Sequence, residues 1–174
     1  MAQATPNATF AEELAYWRRA LGRYTPDHLA DGASDDEWSI GQLYAHLTGS
    51  AVYFHLPMAR KALTEAQAGG ELSERGRAAL SGAELPPVKV PASPTYTPRQ
   101  PVNADFIRTQ LDAADIAFRA TAEQLAAQPD AAGTVGHPSL GHLTAAEWLA
   151  LVPAHWRGHR RQLAKLEARL GLSA

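Results

Sequence analysis

Four long stretches of helical periodicity are the feature of this sequence that most constrains its fold. In each stretch apolar residues recur three and four positions apart, and runs of β-branched residues are nearly absent. The stretches cover residues 9–24, 39–63, 103–128 and 144–170. Their starts carry residues that cap helix N-termini: Thr9 with Glu12, Ser39 with Gln42, Asn103, and Thr144 with Glu147. The sequence therefore predicts an all-α protein built as a four-helix bundle.

A proline-rich segment separates the second stretch from the third. Residues 85–102, LPPVKVPASPTYTPRQPV, contain six prolines and exclude a continuous helix. A short helix is predicted just before it, over residues 72–80. Because neither flank is long enough to be a domain alone, we interpret the segment as a long crossover within one domain spanning residues 1–174. Inside the second stretch, Pro57 predicts a kink or an interruption.

Composition and charge narrow the functional classes. The formal net charge is −2, which gives no reason to expect a nucleic-acid partner. The chain contains no cysteine, which excludes disulfides, thiolate metal ligands and a cysteine nucleophile. With neither a signal-peptide pattern nor a membrane-spanning apolar segment in the sequence, we expect a cytoplasmic protein without a membrane partner. Basic residues near the C-terminus are interpreted as a solvated face in preference to an anion-steering patch: Arg157, Arg160, Arg161, Lys165 and Arg169.

The last stretch carries two histidines on its apolar face. Residues four apart lie one turn above each other on a helix, so His155 and His159 can bind a single metal ion. Histidine also occurs in cores where its ring nitrogens find hydrogen-bond partners, and this alternative stays open. The two histidines fall in a gap of the helix's apolar seam, which consists of Trp148, Val152, Leu163, Leu166 and Leu170.

A third histidine, His46, is predicted to point to the interior from the second stretch. Metal sites in helical bundles are assembled from facing helices, and three neutral imidazoles leave a fourth position for water or substrate. His55 lies nine residues after His46, which places it on the opposite side of a regular helix. The remaining histidines fall in turns or loops and have no predicted role: His28, His137 and His142.

Two segments resemble the paired motifs of the DinB-like superfamily, also called YfiT-like putative metal-dependent hydrolases. They are WSIGQLYAHL, residues 38–47, and HPSLGHLTAAEWLALVPAHWRGHRRQL, residues 137–163. The resemblance implies a four-helix bundle with a long crossover, often dimeric, and a divalent metal ion held by His46, His155 and His159. Zinc and nickel are the leading candidates. Relatives with this pattern include S-transferases that use bacillithiol, mycothiol or glutathione.

The resemblance and the lack of cysteine together suggest a metal-dependent enzyme. We expect it to transfer a low-molecular-weight thiol to an electrophile, with the thiolate supplied by a cosubstrate and not by the protein. Two alternatives stay open: a metal-dependent hydrolase, and a non-catalytic metal- or ligand-binding protein of the stress response.

Several side chains are candidates to support the site. Tyr53 could line the pocket or donate a proton, although plain core packing is the more common role at its spacing. Trp38 and Trp148 are interpreted as packing anchors, and Trp156 as part of a dimer interface or of the core. The candidates to hydrogen-bond the free nitrogens of the histidines are Gln42, Tyr53, Glu147 and Gln162.

Overall fold

Helices make up most of the structure, a computed structural model that describes residues 6–32, 37–65, 69–81 and 97–172. A π-helical segment, Ala51–His55, joins the third helix to the fourth without a break. The helices are α1 Pro6–Leu21, α2 Pro26–Ala30, α3 Ile40–Ser50, α4 Leu56–Thr64, α5 Glu74–Leu80, α6 Ala104–Ala126, α7 Ala145–Gly158 and α8 Arg160–Arg169. Two short strands, β1 Thr134–His137 and β2 Gly141–Thr144, lie between α6 and α7.

The predicted caps explain where most of the long helices begin. The side chains of Ser39 and Thr144 each accept a hydrogen bond from the backbone N–H of the third helix residue. Each of the two cap residues in turn donates its own N–H to the side chain of that third residue, which completes a capping box. The Asn103 side chain accepts from the Phe106 N–H at 2.8 Å. The prediction was wrong for α1, which begins at Pro6, so that Thr9 already lies inside the helix. Proline is well suited to the first turn because it has no N–H to leave unpaired.

The main core is formed by α1, α3, α6, α7 and α8. Trp17 from α1, Leu43 from α3 and Leu111 from α6 are fully buried in it. The predicted seam of the last stretch is buried as expected at Trp148, Val152, Leu163 and Leu166, and Leu170 is half-buried. Phe106, which the periodicity assigned to the core face of α6, is instead 46% exposed.

The structure is mostly helical, as predicted, but strands β1 and β2 lie where the sequence predicted a plain loop. They pair antiparallel, with Val135 opposite Leu143 and His137 opposite Gly141. Val135 and Leu143 point into a second apolar cluster, where the Trp148 Nε1–H donates to the Val135 carbonyl at 3.2 Å. Four-residue strands are too short to show alternation in a sequence, which is why the pattern failed to reveal them.

The predicted crossover lies largely outside the described residues, which resume at residue 97. Its returning end is attached to the N-terminus of α3. The Ser39 hydroxyl donates to the Gln100 side-chain oxygen at 2.6 Å, and the Gln42 amide donates to the Pro98 carbonyl at 3.0 Å. The Gln100 amide in turn donates to the Leu29 carbonyl at 3.0 Å. These bonds fix the start of the helix that carries His46.

Within the described ranges, no helix has both the length and the apolar character to cross a membrane.

Candidate metal centre

Three half-buried histidines from two parts of the chain converge on one point. His46 lies on α3 and His155 on α7, and His159 is the residue that joins α7 to α8. The Nε2 atom of His155 lies 3.2 Å from Nε2 of His46 and 3.0 Å from Nε2 of His159. The potential ligand atoms of all three lie within 4.8 Å of one another. The structure thus brings together the three histidines that the sequence analysis singled out.

The spacing of these nitrogens fits a single tetrahedral metal ion. Zinc binds imidazole nitrogen at about 2.0–2.1 Å, and tetrahedral angles then separate two such nitrogens by about 3.3 Å. The observed separations of 3.2 and 3.0 Å are close to that value. Hydrogen bonding between imidazoles does not by itself require one Nε2 atom to lie close to two others. The donor set therefore fits a divalent ion without a large rearrangement.

Hydrogen bonds at the outer nitrogens favour the tautomer that ligates through Nε2. Nδ1 of His159 lies 2.9 Å from Oε1 of Gln162, an acceptor, so Nδ1 carries the proton. The Ser50 hydroxyl donates to the His46 carbonyl at 2.7 Å, which leaves its oxygen to accept from Nδ1 of His155 at 3.4 Å. Gln162 was among the predicted partners. Ser50 was missed in this role, although its place one turn after His46 was a usable signal.

Burial keeps the imidazoles neutral and therefore able to ligate. Desolvation lowers the pKa of His46 to about 3, with a further contribution from His159. The same cause lowers the pKa of His159, and burial together with its histidine neighbours takes the pKa of His155 well below its usual value. At neutral pH each ring has a free lone pair, which is the form that binds metal.

His55 lies against the metal centre, contrary to the prediction that it faces away. Its ring is 4% exposed and stands perpendicular to the His155 ring, with centroids 5.0 Å apart. The cause is the π-helical segment between His46 and His55. A π-helical turn holds more residues than an α-helical turn, so each residue rotates the chain less and His55 does not reach the opposite side.

Aromatic rings surround the histidine group on two sides. The Trp38 ring is centred 4.8 Å from the His46 ring. Beyond His55, Trp148 packs 5.3 Å from His137, a residue predicted to have no role that now forms part of this wall from strand β1. Trp148 is fully buried, and Trp38 and His137 are half-buried. Such rings reduce access of water to the site and weaken the competition of solvent with a bound ligand.

Other candidates from the sequence lie elsewhere. Tyr53 is 77% exposed, on a different face of the chain from the histidines. Gln42 and Glu147 close the capping boxes of α3 and α7 and are not bonded to a histidine ring. Trp156 is fully buried, and its Nε1–H donates to the Leu47 carbonyl at 3.1 Å, so its place is in the core.

The predicted solvated basic face is engaged in part. Arg157 and Arg160 both donate to Glu13, a buried carboxylate of α1, at 2.9 and 3.0 Å. Arg169 pairs with Glu37 near the start of α3. These three arginines stay partly exposed and form ion pairs as well, so the face is solvated only in part.

The fold and the histidine group define the chain as a mostly helical protein with a candidate three-histidine site for a divalent metal ion. A family model described as the DinB superfamily matches residues 9–163, and the chain belongs to that superfamily. The resemblance drawn from the two motifs is thereby confirmed. No curated protein and no solved structure matched the chain.

Proposed function

We propose that this protein is a metal-dependent enzyme that transfers a low-molecular-weight thiol to an electrophile. The observation that carries the proposal is the convergence of three neutral imidazoles on one point. Within the described part of the chain, this ligand group contains no carboxylate. Two positive charges on a bound ion would then have no anionic protein ligand, which favours an anion such as a thiolate at the fourth position.

The thiol has to come from outside the protein, since the chain has no cysteine. A divalent ion held by His46, His155 and His159 would lower the pKa of a coordinated thiol so that it reacts as the thiolate. Gln162 and Ser50 orient two of the imidazoles, and Trp38 with the buried rings around His55 limits water at the site. In the transfer, the thiol sulfur forms a bond to an electrophilic carbon while the bond from that carbon to a halide or epoxide oxygen breaks. The thiol proton passes to solvent. The halide leaves as an anion, whereas the opened epoxide oxygen takes a proton from solvent and becomes a hydroxyl.

The proposed metal site is tested first by metal content. Tag-free wild-type protein and His155→Ala are dialysed against zinc or nickel and measured by elemental mass spectrometry. His28→Ala, outside the histidine cluster, is the matched control. We expect close to one ion for each wild-type chain and each control chain, and a loss of most of it in His155→Ala. Absence of metal from the wild type would refute the proposal.

Activity is then tested on the metal-loaded protein. Bacillithiol, mycothiol and glutathione are each offered with an alkyl halide and with an epoxide, and the conjugates are measured by mass spectrometry. We expect conjugate formation with one thiol that depends on metal and is lost in His155→Ala. Metal-dependent hydrolysis of esters or amides without thiol would establish the hydrolase instead. Metal binding without turnover of any substrate would favour a non-catalytic binding protein.

The finer architecture also belongs to this proposal. We infer that α1, the segment from α3 to α4, α6, and the segment from α7 to α8 are the four members of a bundle, within one domain. The packing of α1, α6 and α7 against one another and of α4 against α6 and α7 supports this arrangement. The homodimer implied by the superfamily is tested by light scattering on the purified protein.

A further inference from the structure

The backbone at the junction between α7 and α8 departs from regular α-helical hydrogen bonding at His159. His159 ends α7 and precedes α8, with φ −79° and ψ −8°. Its N–H is shared between the carbonyls of His155 at 3.3 Å and Trp156 at 3.2 Å. Shared, long hydrogen bonds constrain a backbone less than single short ones. Backbone bonding alone therefore leaves freedom in the angle between the two helices, and with it in the separation of the two imidazoles.

A buried carboxylate from a third helix bridges this junction. Glu13 on α1 is 1% exposed, and its two oxygens accept from arginines on either side of His159. Oε1 accepts from Arg157 Nε at 2.9 Å, and Oε2 accepts from Arg160 Nε at 3.0 Å. The Arg160 guanidinium also lies 3.9 Å above the Tyr16 ring. The last turn of α7 and the first turn of α8 are thus attached to the same point of α1.

The charges of Glu13, Arg157 and Arg160 favour metal binding, as does the geometry of their hydrogen bonds. Glu13 neutralises cationic side chains that flank a ligand of the proposed metal ion, and these cations would otherwise disfavour a divalent ion nearby. Hydrogen bonds between a buried carboxylate and guanidinium groups are short and directional, which suits them to fixing an angle. Loss of the carboxylate leaves both arginines without this partner.

We infer that Glu13 is a positioning residue for the metal centre. It fixes the angle between α7 and α8 and so holds Nε2 of His159 at metal-binding distance from Nε2 of His155. The inference rests on the metal site of the proposed function. Glu13 is not one of the three metal-binding histidines, and it acts on them through its hydrogen bonds to Arg157 and Arg160.

The test uses cobalt(II) as a probe of both affinity and geometry in the full chain. Glu13→Gln keeps the size of the side chain and removes its charge. We expect about tenfold weaker cobalt binding in chelator competition, comparable to the loss of an outer partner of a metal ligand. The visible absorption bands of the bound cobalt should shift, because the ligand geometry changes.

Glu167→Gln is the matched control. Glu167 is also a buried carboxylate, two turns beyond His159. It connects α8 to Arg23 and Tyr24, in the segment just after α1. Its removal should lower stability and leave the cobalt spectrum unchanged. A spectral shift as large as that of Glu13→Gln would overturn the inference, since any weakening of the helix contacts would then have the same effect.

Arg157→Gln separates positioning from simple charge, and it decides the question if Glu13→Gln does not fold. Removing a cation beside the site should tighten cobalt binding if charge alone matters. Positioning by Glu13 predicts weaker binding, since one of its two attachments is lost. Unchanged or tighter cobalt binding in Arg157→Gln overturns the inference. Cobalt binding by the wild type upholds the metal site independently of that result. Failure of the wild type to bind cobalt overturns the proposed function itself, and this inference with it.

Discussion

The half-buried His46 and the buried His55 make the metal-free protein sensitive to acid. Burial lowers the pKa of His46 and of His55 to about 3, the second with a contribution from neighbouring His137. An unfolded chain has ordinary histidines with a pKa of about 6.5. Since the folded pKa lies below the unfolded one, the unfolded chain binds protons first as the pH falls. Stability is therefore fully present above about pH 6.5 and is lost progressively toward about pH 3.

The size of the loss follows from the two pKa values. At pH 5, 1.5 pH units below the unfolded value, each group disfavours the folded state by about 2 kcal/mol at 1.36 kcal/mol per unit. His46 and His55 together therefore remove about 4 kcal/mol between pH 7.5 and pH 5, against a total stability of about 5–15 kcal/mol for a typical domain. The lowered pKa values of His155 and His159 add loss of the same sign.

Urea unfolding of the EDTA-treated protein at pH 7.5, 6.5 and 5 measures this loss directly. His55→Asn should be less stable than the wild type at pH 7.5 and should lose about 2 kcal/mol less than it between pH 7.5 and 5. His28→Asn, which changes a histidine outside the cluster, is the control variant. A stability that stays level or rises from pH 7.5 to 5 would refute the reasoning.

Three further predictions follow from single contacts. Gln162→Ala removes the acceptor of the His159 Nδ1–H, at 2.9 Å, and should weaken zinc binding about tenfold in a competition assay, with little change in helicity by circular dichroism. Gly141→Ala should lower the free energy of unfolding in urea by about 1–3 kcal/mol, because φ at this position is +81° and a Cβ atom would lie 2.6 Å from the Glu71 carbonyl oxygen. Gly136→Ala is the control and should cost clearly less, because the nearest atom to its Cβ would be 3.4 Å away. Trp156→Phe removes one donor to the Leu47 carbonyl, which still accepts from the Ala51 N–H and the Ser50 hydroxyl. It should lower the thermal midpoint at a cost of about 0.5–1.5 kcal/mol, and an unchanged midpoint would contradict the role assigned to this bond.

The sequence was sufficient where function depends on regular helical spacing. His155 and His159 are one turn apart, and His46 has an interior position on another helix, so helical spacing predicted that the three would lie together. Capping boxes at Ser39 and Thr144 predicted the starts of two helices because their hydrogen bonds are local.

The sequence was insufficient where the backbone departs from regular spacing or where the contacts are distant in the chain. His55 was misplaced because a π-helical turn changes the angle per residue and leaves no simple signal in composition. Phe106 has core spacing but lies near the start of α6, where 46% of it remains exposed. The partner of Arg157 and Arg160 is Glu13, more than 140 residues earlier, and no local pattern links them.

The π-helical segment also bears on how this chain is compared with its relatives. One extra residue accommodated in a helix is enough to produce such a turn. Removing one residue between His46 and His55 would rotate α4 by about 100° relative to α3, because each α-helical residue turns by that angle. The buried face of α4, which includes Ala59, Ala62 and Leu63, would then turn away from its core. A relative without this turn must therefore be aligned with a one-residue gap after Ser50, and an ungapped alignment would compare core positions of α4 with surface positions.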